Sequence, residues 1–115
     1  MGWNVSLMNE NGVVQVAPHF EGGIITVGGN TWADMSVTWN YAPFYYQTID
    51  KEKGFRWLDE KTAKESIPRL EKALKTLGAN TSNDYWEATP GNAGRILDMM
   101  LEWAKQKPDA VWEIS

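Results

Sequence analysis

The sequence predicts an α+β domain, on three observations. The first forty or so positions carry the strand signals, and apolar residues at helical spacing mark the last seventy. The two patterns are segregated along the chain rather than interleaved, which separates α+β from α/β architectures. Third, 115 residues without a cysteine suffice for one core with no disulfide or thiolate-bound metal to staple it. The expected architecture is a single domain over residues 1–115, with a mainly antiparallel sheet of four or five strands and two principal helices packed on one face.

The elements follow in order. Val5-Ser6-Leu7-Met8 and Val13-Val14-Gln15-Val16 flank an Asn11-Gly12 pair, the pattern of a hairpin closed by a tight turn, and Pro18 ends the second arm. Ile24-Ile25-Thr26-Val27 lies between two Gly-Gly pairs and reads as a short third strand; the glycine pairs are turns, since no Lys-Ser/Thr follows either. Met35, Val37, Trp39 and Tyr41 alternate with Ser36, Thr38 and Asn40, which predicts a half-buried fourth strand ended by Ala42-Pro43. Residues 44–49 then make a short helical turn and residues 50–54 a charged loop.

Thr62 and Glu65 have capping-box spacing, and Ala63, Ile67, Leu70, Leu74 and Leu77 continue with helical period to Gly78, a C-cap. Pro68 lies inside this pattern and predicts either a kink or a later start at Ser66. A polar loop over residues 79–86 leads to Thr89, a second N-cap, with Pro90 at the first helical position. Ala93, Leu97, Met100, Leu101 and Ala104 carry that helix to about Lys107. Pro108 stops it, and residues 110–114 alternate well enough to add a last strand.

Composition excludes several functions. Eleven Lys and Arg against fifteen Asp and Glu give a net charge of -4, with the basic residues dispersed among acids, which argues against a nucleic-acid polymer as partner. No apolar run approaches the ~18 residues of a membrane span, and the first residues carry no leader pattern, so the expected location is cytoplasmic with no membrane partner. Seven tryptophans exceed what a small core needs, which predicts a homo-oligomer whose interface shelters the surplus.

The helix opening at Thr89-Pro90-Gly91-Asn92-Ala93-Gly94-Arg95 is the leading candidate site. Two glycines in a first turn cost about 1 kcal/mol each against alanine, so either a ligand approaches their bare N–H groups or the helix packs closely there. In the ligand reading, Thr89, Gly91, Asn92 and Arg95 hold an anion at the positive end of the helix dipole. A second cluster stands beside it: Thr38 and Asn40 on the polar face of the fourth strand, with Tyr41, Tyr45 and Trp86 available to stack on a flat ring. A solvated sheet face with ordinary core aromatics explains the same residues.

His19 is the sole histidine, so any triad or general-base role would fall on it or on a carboxylate, and a metal there would need several carboxylate partners. Asp98 and Glu102 are a like-charged pair one helical turn apart, an ordinary solvated arrangement. No catalytic residue, metal or cofactor is assigned, and a small hydrolase built on His19 or a carboxylate is the least supported reading.

Ser36-Val37-Thr38-Trp39-Asn40-Tyr41-Ala42-Pro43-Phe44-Tyr45, followed by Tyr85-Trp86 and Thr89-Pro90-Gly91-Asn92-Ala93-Gly94, resembles small proteins carried by bacteriophages and related mobile elements, over roughly residues 34–108. The resemblance transfers no activity. It implies a context in which small non-catalytic proteins antagonise host defence. The expected function is then sequestration of a small anionic ligand such as a nucleotide-derived signal, a phage anti-defence sponge. The alternative is a phage or mobile-element protein that inhibits a host protein by direct contact.

Overall fold

The computed structural model describes residues 2–9, 11–12, 33–84 and 86–115. Among them, three strands form one antiparallel sheet: β1 (Gly2–Met8), β2 (Asp34–Thr38) and β3 (Val111–Ile114), in the order β2-β1-β3. Three helices accompany it: α1 (Ala42–Thr48), α2 (Ala63–Leu77) and α3 (Pro90–Gln106). The α+β class and the antiparallel pairing agree with the sequence reading. The described strands number three rather than four or five, and α1 is a helix in its own right beside the two long ones.

The expected hairpin is replaced at β1 by long-range pairing. Val5 faces Met35 on one edge and Ile114 on the other, and Ser6 faces Asp34 and Glu113. A strand residue has only two edges, so β1 is the central strand, between chain segments distant from it in sequence. The Asn11-Gly12 signal is partly visible: Gly12 has φ 76° and its N–H donates to the Asn9 carbonyl at 3.0 Å. The proposed arms at 13–16 and 24–27, and His19, lie outside the described residues.

Strand alternation decides which sheet face is covered. Trp3, Val5, Leu7, Met35, Val37, Trp112 and Ile114 are buried, whereas Asn4, Asp34, Ser36 and Glu113 are exposed. On the open face polar side chains pair across strands, Ser6 Oγ with Asp34 Oδ1 at 3.1 Å and Ser36 Oγ with Asn4 Oδ1 at 3.3 Å. The outer edge of β3 is covered by residues 59–62. Glu60 N–H donates to the Trp112 carbonyl, Trp112 N–H donates to the Lys61 carbonyl, both at 2.9 Å, and Asp59 Oδ1 accepts from Ile114 N–H at 3.0 Å. An edge that would otherwise attract another strand is thereby satisfied internally.

The fourth strand ends three residues earlier than its alternation suggests. Thr38 Oγ1 accepts from Asn40 N–H at 3.2 Å and turns residues Trp39–Tyr41 into a 3-10 turn that runs into α1. Tyr41 still reaches the core, but Trp39 rotates outward.

Helix α2 starts at Ala63 and not at Ser66, because the capping box forms: Thr62 Oγ1 accepts from Glu65 N–H at 3.2 Å and Glu65 Oε1 accepts from Thr62 N–H at 2.8 Å. Pro68 is accommodated inside the helix. Both Pro68 and Lys64, whose carbonyl would otherwise accept from residue 68, are exposed. Helix α3 is buried on nearly all sides, from Gly91 through Ala104, and occupies the middle of the core.

Two aromatic groups join the layers. Trp3, Tyr45 and Phe55 pack with ring centroids 4.8–6.0 Å apart, linking β1 to α1 and the following 3-10 turn. Trp103 of α3 lies 6.4 Å from Trp112 of β3, and Trp112 Nε1 donates to Ser66 Oγ of α2 at 2.8 Å. Ser66 is fully buried, and its hydroxyl donates onward to the Ala63 carbonyl at 2.7 Å, so the network is satisfied at each step.

Candidate functional site

The opening of α3 is formed as a capped helix start. Thr89 is extended at φ -116° and ψ 152°, its Oγ1 accepts from Asn92 N–H at 3.1 Å, and Pro90 occupies the first turn. The bare backbone of that turn faces protein. A Cβ added at Gly91 would overlap the Asn80 carbonyl oxygen, and one added at Gly94 would overlap the Gly78 carbonyl oxygen. Both glycines are therefore spacers that let α3 lie against the chain leaving α2, and the packing alternative accounts for them.

Asn92 is also turned inward. It is 0% exposed, and its Oδ1 accepts from Ser82 N–H at 2.9 Å. Its Nδ2 donates to Ser82 Oγ and the Asp84 carbonyl at 3.0 Å and to the Glu87 carbonyl at 2.9 Å. One side-chain amide thus organises the loop over residues 82–87. The Asn92 N–H and side-chain amide, two of the donors expected to hold an anion, are spent on protein oxygens.

The remaining proposed ligand residues divide in two. Tyr41 and Tyr45 are core residues with rings 6.4 Å apart in a T-shaped pair, and the Tyr45 hydroxyl donates to the Ala93 carbonyl at 2.9 Å. Neither presents a face for stacking. Arg95 donates through Nη1 to Asp98 Oδ2 at 2.8 Å, an ion pair along α3 rather than a charge held ready for phosphate. These placements turn the side chains of Asn92, Tyr41 and Tyr45 and the bare face of Gly91 inward, and set Arg95 beside Asp98.

Asn40 and Trp86 are brought together. Asn40 Nδ2 donates to the Trp86 carbonyl at 2.8 Å, tying the 3-10 turn after β2 to the loop before α3. Trp86 is held from the other side by its own N–H, which donates to Asp84 Oδ1 at 3.0 Å. Its side chain is nevertheless 60% exposed, and Trp39, next to Asn40, is 45% exposed. Thr38 contributes by capping the turn that points Trp39 outward. The sequence pattern misses Trp39 as a site residue because alternation assigns it to the buried face; the Thr38 cap and Pro43 were the local signals that the strand stops short.

The segments that carry these two indoles are short of positive charge. Asp84 and Glu87 flank Trp86 and are exposed, and the stretches 33–50 and 76–94 contain no lysine or arginine. Of the eleven basic residues, eight lie within 51–75 and two are Lys105 and Lys107, while Arg95 is paired with Asp98. Among the described residues, no group of three His, Cys, Asp or Glu side chains is arranged to hold a metal ion, and no helix is long and apolar enough to cross a membrane. No family model matches the chain, and no curated protein or solved structure matches it.

Proposed function

We propose that this chain is a non-catalytic binding protein that works by direct contact with another protein, through the surface carrying Trp39 and Trp86. One observation carries the reading: two large indoles stand exposed on segments tied to each other by the Asn40–Trp86 hydrogen bond. Exposed tryptophan held on a fixed backbone costs little entropy on binding and supplies large apolar area, the character of an interface anchor. In the phage or mobile-element context that the sequence resembles, the partner is a host defence factor blocked by this surface. Small-ligand sequestration is less well supported, because the Thr89 helix start and its neighbours are engaged within the protein.

The test pairs Trp39→Ala/Trp86→Ala with Arg95→Ala. The tryptophan double variant folds normally but loses a host protein that the parent retains on co-purification, and Arg95→Ala keeps it. Nucleotides leave the melting temperature of all forms unchanged. A nucleotide-induced shift abolished by Arg95→Ala, with ligand released intact on denaturation, would instead restore the anionic-ligand reading; ~2.7 kcal/mol is expected at a hundredfold excess over Kd.

A further inference from the structure

We infer that Asn11 is a site of spontaneous covalent modification, at which the Gly12 amide displaces ammonia from the Asn11 side chain and leaves aspartate and isoaspartate in its place. The turn that carries the pair is open. Asn11 and Gly12 are both exposed, and nothing lies within 4 Å of where a Cβ on Gly12 would stand. A following residue without a side chain lets its nitrogen approach Asn11 Cγ unobstructed. The Gly12 N–H donates to the Asn9 carbonyl at 3.0 Å, so this turn bond opens before the attack. At an exposed turn water replaces the lost partner, which makes the opening inexpensive.

The deprotonated Gly12 nitrogen bonds to Asn11 Cγ, the Cγ–Nδ2 bond breaks, and Nδ2 leaves as ammonia after taking a proton from water. Water then opens the cyclic succinimide at either carbonyl. Opening at Cγ gives aspartate, and opening at the main-chain carbonyl gives isoaspartate, with the chain continuing through Cγ. Either product adds one negative charge to the net -4. Other described asparagines are held back by their surroundings. Asn4 precedes Val5 inside β1, Asn40 has its Nδ2 on the Trp86 carbonyl, and Asn92 is buried with its amide bonded to residues 82–87. Asn80 and Asn83 are exposed, but β-branched Thr81 follows the first, and after the second the Asp84 N–H donates to Ser82 Oγ at 3.2 Å. Strand β1 ends at Met8, so the change at position 11 falls outside the sheet ladder.

The experiment incubates the folded full chain in mildly alkaline buffer, digests samples over time, and follows the peptide containing Asn11 by mass spectrometry and by labelling with an isoaspartyl-specific methyltransferase. That peptide exchanges its amide for a carboxylate before any other, in two isomeric forms of which only one is methylated, and the rate rises with pH because the attacking nitrogen must lose its proton. Gly12→Ala slows the conversion about tenfold or more, and Asn11→Gln removes it from the peptide. The same comparison in urea keeps the Gly12→Ala result interpretable, since the unfolded chains differ only in the attacking residue. Conversion at Asn80 or Asn83 ahead of Asn11 overturns the inference. So does conversion of Asn11 only after unfolding, which would mean that the turn shields it, and so does aspartate without isoaspartate, which would mean direct hydrolysis with no cyclic intermediate.

Discussion

Asn92 shows how a residue with the right chemistry for a ligand can be consumed by the fold. Its amide makes four hydrogen bonds to residues 82–87 from a fully buried position. Asn92→Ala removes them together and leaves part-buried backbone groups without partners, so stability should fall by about 2–3 kcal/mol in urea unfolding. Amide exchange should rise through the same loop while α2 stays protected. Asp50 is a second single-residue case. The Lys53 N–H donates to its carboxylate at 2.7 Å, the Glu52 N–H at 3.1 Å, and Arg69 lies 4.0 Å away. The Lys53 hydrogen bond foremost holds its pKa below the ordinary 3.8. A depressed folded-state pKa means stability fully present above the unfolded value and lost as pH falls through the folded one. Asp50→Asn should therefore be less stable than the parent at neutral pH, and the gap should close in acid below 3.8. A gap independent of pH would show that the carboxylate charge contributes nothing.

At the level of elements, α3 and β1 show what local sequence can and cannot specify. The start of α3 at Thr89, its Pro90 and the stop of α2 at Gly78 were legible because a cap depends on residues within a few positions of one another. Whether Gly91 and Gly94 served a ligand or close packing was not, since that depends on where the 78–80 backbone passes. Alanine normally stabilises a helix by about 1 kcal/mol over glycine. Here Gly91→Ala and Gly94→Ala should each destabilise, by about 1–3 kcal/mol, because the new methyl meets a backbone carbonyl that cannot swing away as a side chain would. Thermal unfolding decides the sign, and a rise in melting temperature for either variant would mean that the first turn of α3 is open. The central place of β1 was likewise invisible locally. Val5 pairs with Ile114, almost the full chain apart, and a turn signal at Asn11-Gly12 says nothing of a partner so distant.

For the whole molecule, the tryptophans decide how much surface is left to explain. The homo-oligomer expectation rests on a surplus of indoles, yet Trp3, Trp103 and Trp112 are buried and Trp57 is stacked on Arg69. Among the described residues, Trp39, Trp86 and Tyr46 are the exposed large apolar side chains, less area than an obligate subunit interface buries. The surplus was legible as a count but not as a distribution, because only the completed fold shows that three indoles join sheet to helices. Sedimentation should accordingly give a single species near the 13.0 kDa chain mass at micromolar concentration. Acrylamide should quench the fluorescence of Trp39 and Trp86 ahead of Trp3, Trp103 and Trp112, and Trp39→Ala/Trp86→Ala should shrink the readily quenched fraction. Stability should change little in that variant, within ~0.5 kcal/mol, because surface substitutions away from caps and cores rarely do more. A large loss of stability would mean that these rings belong to the packed fold, and the surface assigned to a partner would then be part of the protein's own interior.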